Sequence, residues 1–105
     1  MTNRISITNW ALLSSEFSQF FDGLGAVTVT HDCLEFQSHP NHVQTGFTVH
    51  ITGFVNASMP LHGLDARFEG FEFKQAPPQV MCHGQDTTYT YKVPQELIAH
   101  RGESI

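Results

Sequence analysis

The first apolar residues of the chain recur at the spacing of one helix face. They follow one another mostly three or four residues apart, and serine, glutamate and glutamine fill many of the positions between them. Thr8 or Asn9 can accept a hydrogen bond from the first turn, and Gly23 or Gly25 can adopt the left-handed conformation that ends a helix. The pattern predicts an amphipathic helix with core-facing residues Trp10, Leu13, Phe17, Phe20, Phe21 and Leu24.

Past this helix the apolar residues alternate with polar ones, which is typical of strands. Val27 and Val29 alternate with threonine, and Leu34 and Phe36 alternate with other polar residues. A loop at positions 31–32 would place Val29 opposite Leu34 and Val27 opposite Phe36, with every apolar side chain on one face. The sequence therefore predicts a hairpin in this register.

Further alternating segments follow, separated by glycine and proline. The longest covers residues 47–55 and the next covers residues 64–68, and we expect the two to pair. Beyond Gly70 the apolar phase shifts by one residue, which is typical of a β-bulge. The last segment, residues 89–93, ends at Pro94, which suits the first turn of a short C-terminal helix.

These elements together predict an α+β fold. We expect an N-terminal helix packed on a twisted five-strand antiparallel sheet, a short C-terminal helix, and a single domain over residues 1–105. No helix is expected between strands, which excludes a doubly wound parallel sheet. The predicted core comprises Phe17, Phe20, Phe21, Val29, Phe36, Val49, Ile51 and Phe68.

The charge balance limits the classes of partner. Lys and Arg number 5 against 10 Asp and Glu, a net charge of -5, which disfavours nucleic acid and anionic membrane surfaces. The first residues lack the basic segment, apolar stretch and cleavage site of a signal peptide, so we expect a cytoplasmic protein. In that reducing compartment Cys33 and Cys82 are expected to be free thiols.

Two histidines in one loop, His39 and His42, are the candidate metal ligands. Zinc sites need three or four ligands in fixed geometry, and their sequence signatures are paired elements such as C-x-x-C. Because His39 and His42 have no such partner pair, we expect scattered loop histidines, no bound metal and no cofactor.

One candidate catalytic group follows from the expected pairing of residues 47–55 with residues 64–68. With Val55 opposite Leu64, His50 would face Glu69 and Arg67 would lie on the same side of the sheet. A carboxylate next to an imidazole orients the ring and prepares it for proton transfer. The alternative is a solvent-facing ladder of charge pairs, which antiparallel sheets favour without any catalysis.

Spare aromatic residues are the candidates for an interaction surface. One helix cannot cover both faces of a five-strand sheet, and Phe54 falls on the uncovered face. The phase shift at Gly70 sends Phe71 and Phe73 to that face too, unless the bulge restores them to the core. These three rings would then form a self-association patch, and a second small core is the alternative.

The sequence carries no nucleophile elbow and no glycine-rich phosphate loop. We therefore expect a small acidic non-catalytic binding or protein-interaction module that forms a homodimer through the sheet face or an edge strand. The alternative is a small-molecule-binding pocket protein with weak acid/base catalysis by His50 and Glu69. An aromatic-filled space between helix and sheet favours the module, whereas a cavity of about 300 Å³ or more that reaches polar residues favours the pocket.

Overall fold

The computed structural model describes residues 4–38, 45–59, 62–75 and 78–98. The helices within these residues are α1 (Trp10–Phe21) and a short C-terminal turn of helix, α2 (residues 95–98). The strands are β1 (Ile5–Ser6), β2 (Gly25–Val29), β3 (Cys33–Ser38), β4 (Gly46–His50), β5 (Phe54–Met59), β6 (His62–Arg67), β7 (Gly70–Gln75), β8 (Pro78–His83) and β9 (Thr88–Lys92).

The strands form two antiparallel sheets, and one of them has the predicted five strands, although the predicted strand over residues 89–93 belongs to the other sheet. The five-stranded sheet contains β2, β3, β4, β5 and β6 in chain order. The other sheet has four strands in the order β1, β7, β8, β9. The α+β class and both helices are therefore confirmed, whereas the prediction of one sheet is wrong. The expected single domain stays a prediction.

Helix α1 begins at the predicted position and buries most of the predicted apolar face, but it ends at Phe21, before Leu24. Leu13, Phe17, Phe20 and Phe21 are its buried residues. Asn9 occupies the N-cap position without a side-chain capping hydrogen bond. Gly23 has a φ of 82°, a left-handed conformation that costs glycine little, and the chain leaves the helix there to begin β2.

The predicted long strand over residues 47–55 is two strands. The chain reverses at residues 51–53, where Gly53 has a φ of 95°, and β4 pairs with β5 as a hairpin. A Cβ atom at Gly53 would lie 2.6 Å from the carbonyl oxygen of Phe68, so the turn requires glycine. Periodicity missed this turn because its length preserves the alternation, and Val49 and Val55 still lie on one face.

The predicted β-bulge at Gly70 is instead a crossing from one sheet to the other. The amide of Phe68 donates to the carbonyl of Gly53 in the five-stranded sheet, at 2.8 Å. The amide of the next residue, Glu69, donates to the carbonyl of His83 in the four-stranded sheet, also at 2.8 Å. The shift of apolar phase therefore marks a change of sheet.

Aromatic rings of α1 fill the space between the two sheets. Phe21 stacks on Phe36 of β3 with ring centroids 4.3 Å apart, and it lies 6.2 Å from the ring of Tyr91 on β9. Phe20 lies 5.5 Å from Phe73 of β7. The helix and both sheets thus enclose one shared core.

Most of the predicted core is confirmed, and two positions are wrong. Val29 and Ile51 expose 46% and 45% of their surface. Alternation places both side chains on the core-facing side of the sheet. They stay partly exposed because Ile51 lies in the turn between β4 and β5 and Val29 is the last residue of an edge strand. The buried members of the prediction are Phe17, Phe20, Phe21, Phe36, Val49 and Phe68.

Candidate functional site

The outer face of the five-stranded sheet, which points away from the core, carries a row of polar side chains. The register aligns one residue from each of four neighbouring strands across this face. Successive residues of a strand point to opposite faces, so the neighbours of each buried residue must project outward here. The row runs Glu35, Thr48, Asn56 and Asp65.

A groove of about 400 Å³ lies along this row. Its floor includes Gly46, and the lack of a side chain at this glycine contributes to the space. A Cβ added there would come 3.3 Å from the carbonyl oxygen of Phe36. Gln37 and Ser58 flank this glycine in the next cross-strand row. The groove is open to solvent and polar, and it is separate from the aromatic core on the other side of the sheet.

Two carboxylates give the groove its charge. Glu35 stands on β3 and Asp65 on β6, and Asn56 between them donates a hydrogen bond from its amide nitrogen to the Asp65 carboxylate. The lining residues include no lysine, arginine or histidine. Such a site offers hydrogen-bond acceptors and negative charge, and it can receive a polar ligand that carries an ammonium or guanidinium group.

Cys33 lies on the same face, beside this row. Partial burial and the neighbouring carboxylates of Glu35 and Asp32 raise the pKa of its thiol above the ordinary value. A thiol with a raised pKa holds little thiolate at neutral pH and is a poor nucleophile. Both Cys33 and Cys82 are free, and Cys82 is buried in the core.

The candidate catalytic residues do not meet in the predicted way. Val55 pairs with Ala66 instead of Leu64, so the expected register is wrong by two residues. His50 pairs with Cys33 of β3, and its ring lies 6.1 Å from that of Phe54. Arg67 pairs with Phe54, and Glu69 lies in the crossing between the sheets.

A different histidine and carboxylate are in contact on the four-stranded sheet. His83 Nε2 lies 2.6 Å from Glu72 Oε1, and their side chains are only 12% and 19% exposed. The pair sits diagonally across β7 and β8, since Glu72 is opposite Met81 and His83 is opposite Gly70. It holds the imidazole in one orientation, on a different sheet from the groove.

Sequence reasoning missed this pair because it did not predict that β7 and β8 form a hairpin. The available signal was alternation: buried Phe71 and Phe73 flank Glu72, and buried Val80 and Cys82 precede His83. That pattern puts both polar side chains on the outer face of a hairpin.

The three candidate interaction residues have different surroundings. Phe71 is fully buried and Phe73 is 7% exposed, so the crossing at Gly70 brings both rings into the core. This was the alternative left open by the sequence. An exposed patch cannot include them in this fold, and Phe54, half-buried beside His50, is the remaining candidate.

Strand β2 forms one edge of the five-stranded sheet. Thr30 N donates to the carbonyl oxygen of Cys33 at 2.8 Å, so alternation directs the backbone groups of Thr28 and Ala26 toward β3 as well. The intervening residues direct their N–H and C=O groups to the open edge, and among the described residues none pairs with them. They are Gly25, Val27 and Val29.

The candidate metal ligands His39 and His42 lie outside the described residues. Within the described ranges, no group of three or more His, Cys, Asp or Glu side chains is arranged to hold a metal ion. No helix in that part of the chain has the length and apolar character needed to cross a membrane.

Comparison of the chain with protein-family models, curated proteins and solved structures found no match.

Proposed function

We propose that the protein is a small acidic, non-catalytic binding module of the cytoplasm that self-associates as a homodimer. The observation that carries the proposal is the one-sided cover of the five-stranded sheet. One face closes on α1 and the other sheet, while among the described residues no element packs on the outer face and no strand pairs with the free edge of β2. A sheet with an open edge and an open face favours contact with another chain.

The aromatic core supports a binding surface on the outside of the molecule. Phe21 lies within 6.2 Å of rings from both sheets, so aromatic side chains fill the space between the helix and the sheets. A filled core leaves no pocket between the helix and the sheets within the described part of the chain, which favours the interaction module by the criterion set out from the sequence. The predicted pairing of His50 with Glu69, the basis for acid/base catalysis, does not form.

Sedimentation velocity at rising protein concentration tests the proposal. We expect the weight-average mass to increase from one chain toward two as the concentration passes through the micromolar range. A mass that stays at one chain at every accessible concentration would contradict self-association. Far-UV circular dichroism at both ends of the series checks that the fold is unchanged.

A second candidate function is the binding of a small polar molecule in the groove. The observation that favours it is the groove volume of about 400 Å³ beside the polar row. Pockets of this size hold small molecules, although this groove is more polar than most. Two carboxylates and the absence of a basic lining residue favour a ligand with an ammonium or guanidinium group.

Titration with arginine amide, followed by NMR, tests this second function. We expect shifts of the backbone amides of Thr48 and Asn56, and Asp65→Asn should weaken them several-fold because half of the groove's negative charge is lost. Asp86→Asn is the matched control, since Asp86 is exposed in a turn that does not line the groove. Equal weakening by both variants would indicate attraction to the acidic surface at large and would contradict a specific site.

A further inference from the structure

The edges of the two sheets differ in how they are protected against pairing with another chain. Charged side chains and very short strands are the usual protection of an edge. Strand β6 carries Asp65 and Arg67, β9 carries Lys92, and β1 has only 2 residues. Strand β2 has 5 residues, Gly-Ala-Val-Thr-Val, with no charge and no proline. Among the described strands it is the edge best able to accept a partner.

We propose that β2 of one copy pairs antiparallel with β2 of a second copy, around a two-fold axis at Val27, and joins two five-stranded sheets into one. The inference rests on the proposed self-association and assigns its surface. The outward backbone groups of Gly25, Val27 and Val29 supply the hydrogen bonds, because they are the free members of the alternating pattern.

The side chains of this strand are complementary to themselves in that register. Val27 faces Val27 of the second copy. Gly25 faces Val29, so the residue without a side chain lies opposite a branched one. These valines lie on the core-facing side, where Val29 is 46% exposed and Val27 is half-buried. Pairing would cover them and would complete the row of apolar residues that begins with Leu34 and Phe36.

The outer face is less suited to pairing with its own copy. Two-fold stacking of that face would take the charges of Glu35, Asp65 and Arg67 from both copies into one desolvated interface, which is costly unless every charge finds a partner there. Phe54 is the one large apolar side chain that this face offers among the described residues. Charge therefore favours the neutral edge over the charged face.

The short edge also sets the expected strength. Five residues on each side bury much less than the about 1,600 Å² of a standard interface. We therefore expect a dimer that dissociates on dilution, in keeping with the concentration series of the proposed function.

Matched substitutions separate the edge from the other surfaces. Val29→Lys is expected to raise the dimer dissociation constant about tenfold or more, because a cation would stand in the neutral interface. Leu12→Lys, at 45% exposure on α1, and Phe54→Glu on the outer face should change it by less than about twofold. If Phe54→Glu dissociated the dimer and Val29→Lys did not, the assignment of the interface to the β2 edge would be wrong, whereas self-association itself would stand. A monomeric wild type would overturn both.

Disulfide trapping tests the register without depending on a destabilising charge. In a Cys33→Ser background, Val27→Cys should cross-link readily, since paired residues of this kind have Cα atoms about 5.5 Å apart, within disulfide range. Ala26→Cys is the control, because in this register position 26 of one copy faces position 28 of the other, so the two cysteines would not be opposite each other. Equal cross-linking at both positions, or none at Val27→Cys under conditions where the protein is dimeric, would overturn the proposed register.

Discussion

Replacing Phe21 by Ala is expected to lower the free energy of unfolding by about 3–5 kcal/mol, the largest effect of any single substitution considered. Phe21 is fully buried, and its ring centroid lies 4.3 Å from that of Phe36 and 4.7 Å from that of Phe17. It also approaches Phe47 of the five-stranded sheet and Tyr91 of the four-stranded sheet. Removing the ring opens a cavity where the helix and both sheets meet.

Urea denaturation followed by fluorescence and circular dichroism measures this effect. A domain of this size is stable by about 5–15 kcal/mol, so such a loss is a large share of the total and should lower the urea midpoint clearly. Leu12→Ala, on the exposed side of the same helix, should change stability by less than about 0.5 kcal/mol. A loss below about 1 kcal/mol for Phe21→Ala would contradict a core shared by the two sheets.

Alkaline pH is expected to destabilise the protein strongly, because two buried acids must stay protonated in the fold. Burial raises the pKa of Cys82 from 9.0 to about 12. Burial also raises the pKa of Tyr91 from 10.0 to about 12, although its hydrogen bond with Thr45, at 2.6 Å, acts in the opposite direction. Each pH unit over which only the unfolded chain has lost such a proton costs about 1.4 kcal/mol.

The direction follows from proton binding. Below pH 9.0 the folded and the unfolded chain both hold these protons, so the full stability is present. Between pH 9.0 and about pH 12 the unfolded chain releases them while the folded chain keeps them, so the free energy of unfolding falls as the pH rises. Summed over both groups, the loss is on the order of several kcal/mol.

Two substitutions show how much of this loss of stability at alkaline pH comes from Cys82 and how much from Tyr91. In urea titrations at a series of pH values, Cys82→Ala should flatten the slope from pH 9.0 upward, and Tyr91→Phe should flatten it only above pH 10.0. Cys33→Ala is the control with the smaller expected change, because Cys33 is only partly buried. Stability independent of pH between 9.0 and 12 would contradict the burial of both groups.

The sequence was most informative where local pattern alone determines structure. Helix α1 and the pairing of Val27 with Phe36 were predicted correctly, because amphipathic spacing and alternation each leave one register that buries the apolar residues. The turn at Gly53 was missed because it leaves the alternation unbroken. The phase shift at Gly70 was seen, yet a change of sheet and a bulge give the same local pattern.

The candidate site depends on pairings that are distant in sequence. The groove requires Glu35 and Asp65 to align across four strands, and the error of two residues between β5 and β6 was enough to misplace Asp65. The β2 edge is visible only once the sheet order is known, because an edge strand and a central strand can show the same alternation. Phe71 and Phe73 were assigned to the surface because the second sheet was not predicted.

Hydrogen exchange of the β2 amides tests the central claim, that the uncovered sheet edge binds a second copy. The amides of Val27 and Val29 point to the open edge, whereas that of Thr28 points to β3. We expect the exchange of Val27 and Val29 to slow markedly as the protein concentration rises, with Thr28 protected at every concentration. Exchange of Val27 and Val29 that stays fast and independent of concentration would contradict the claim.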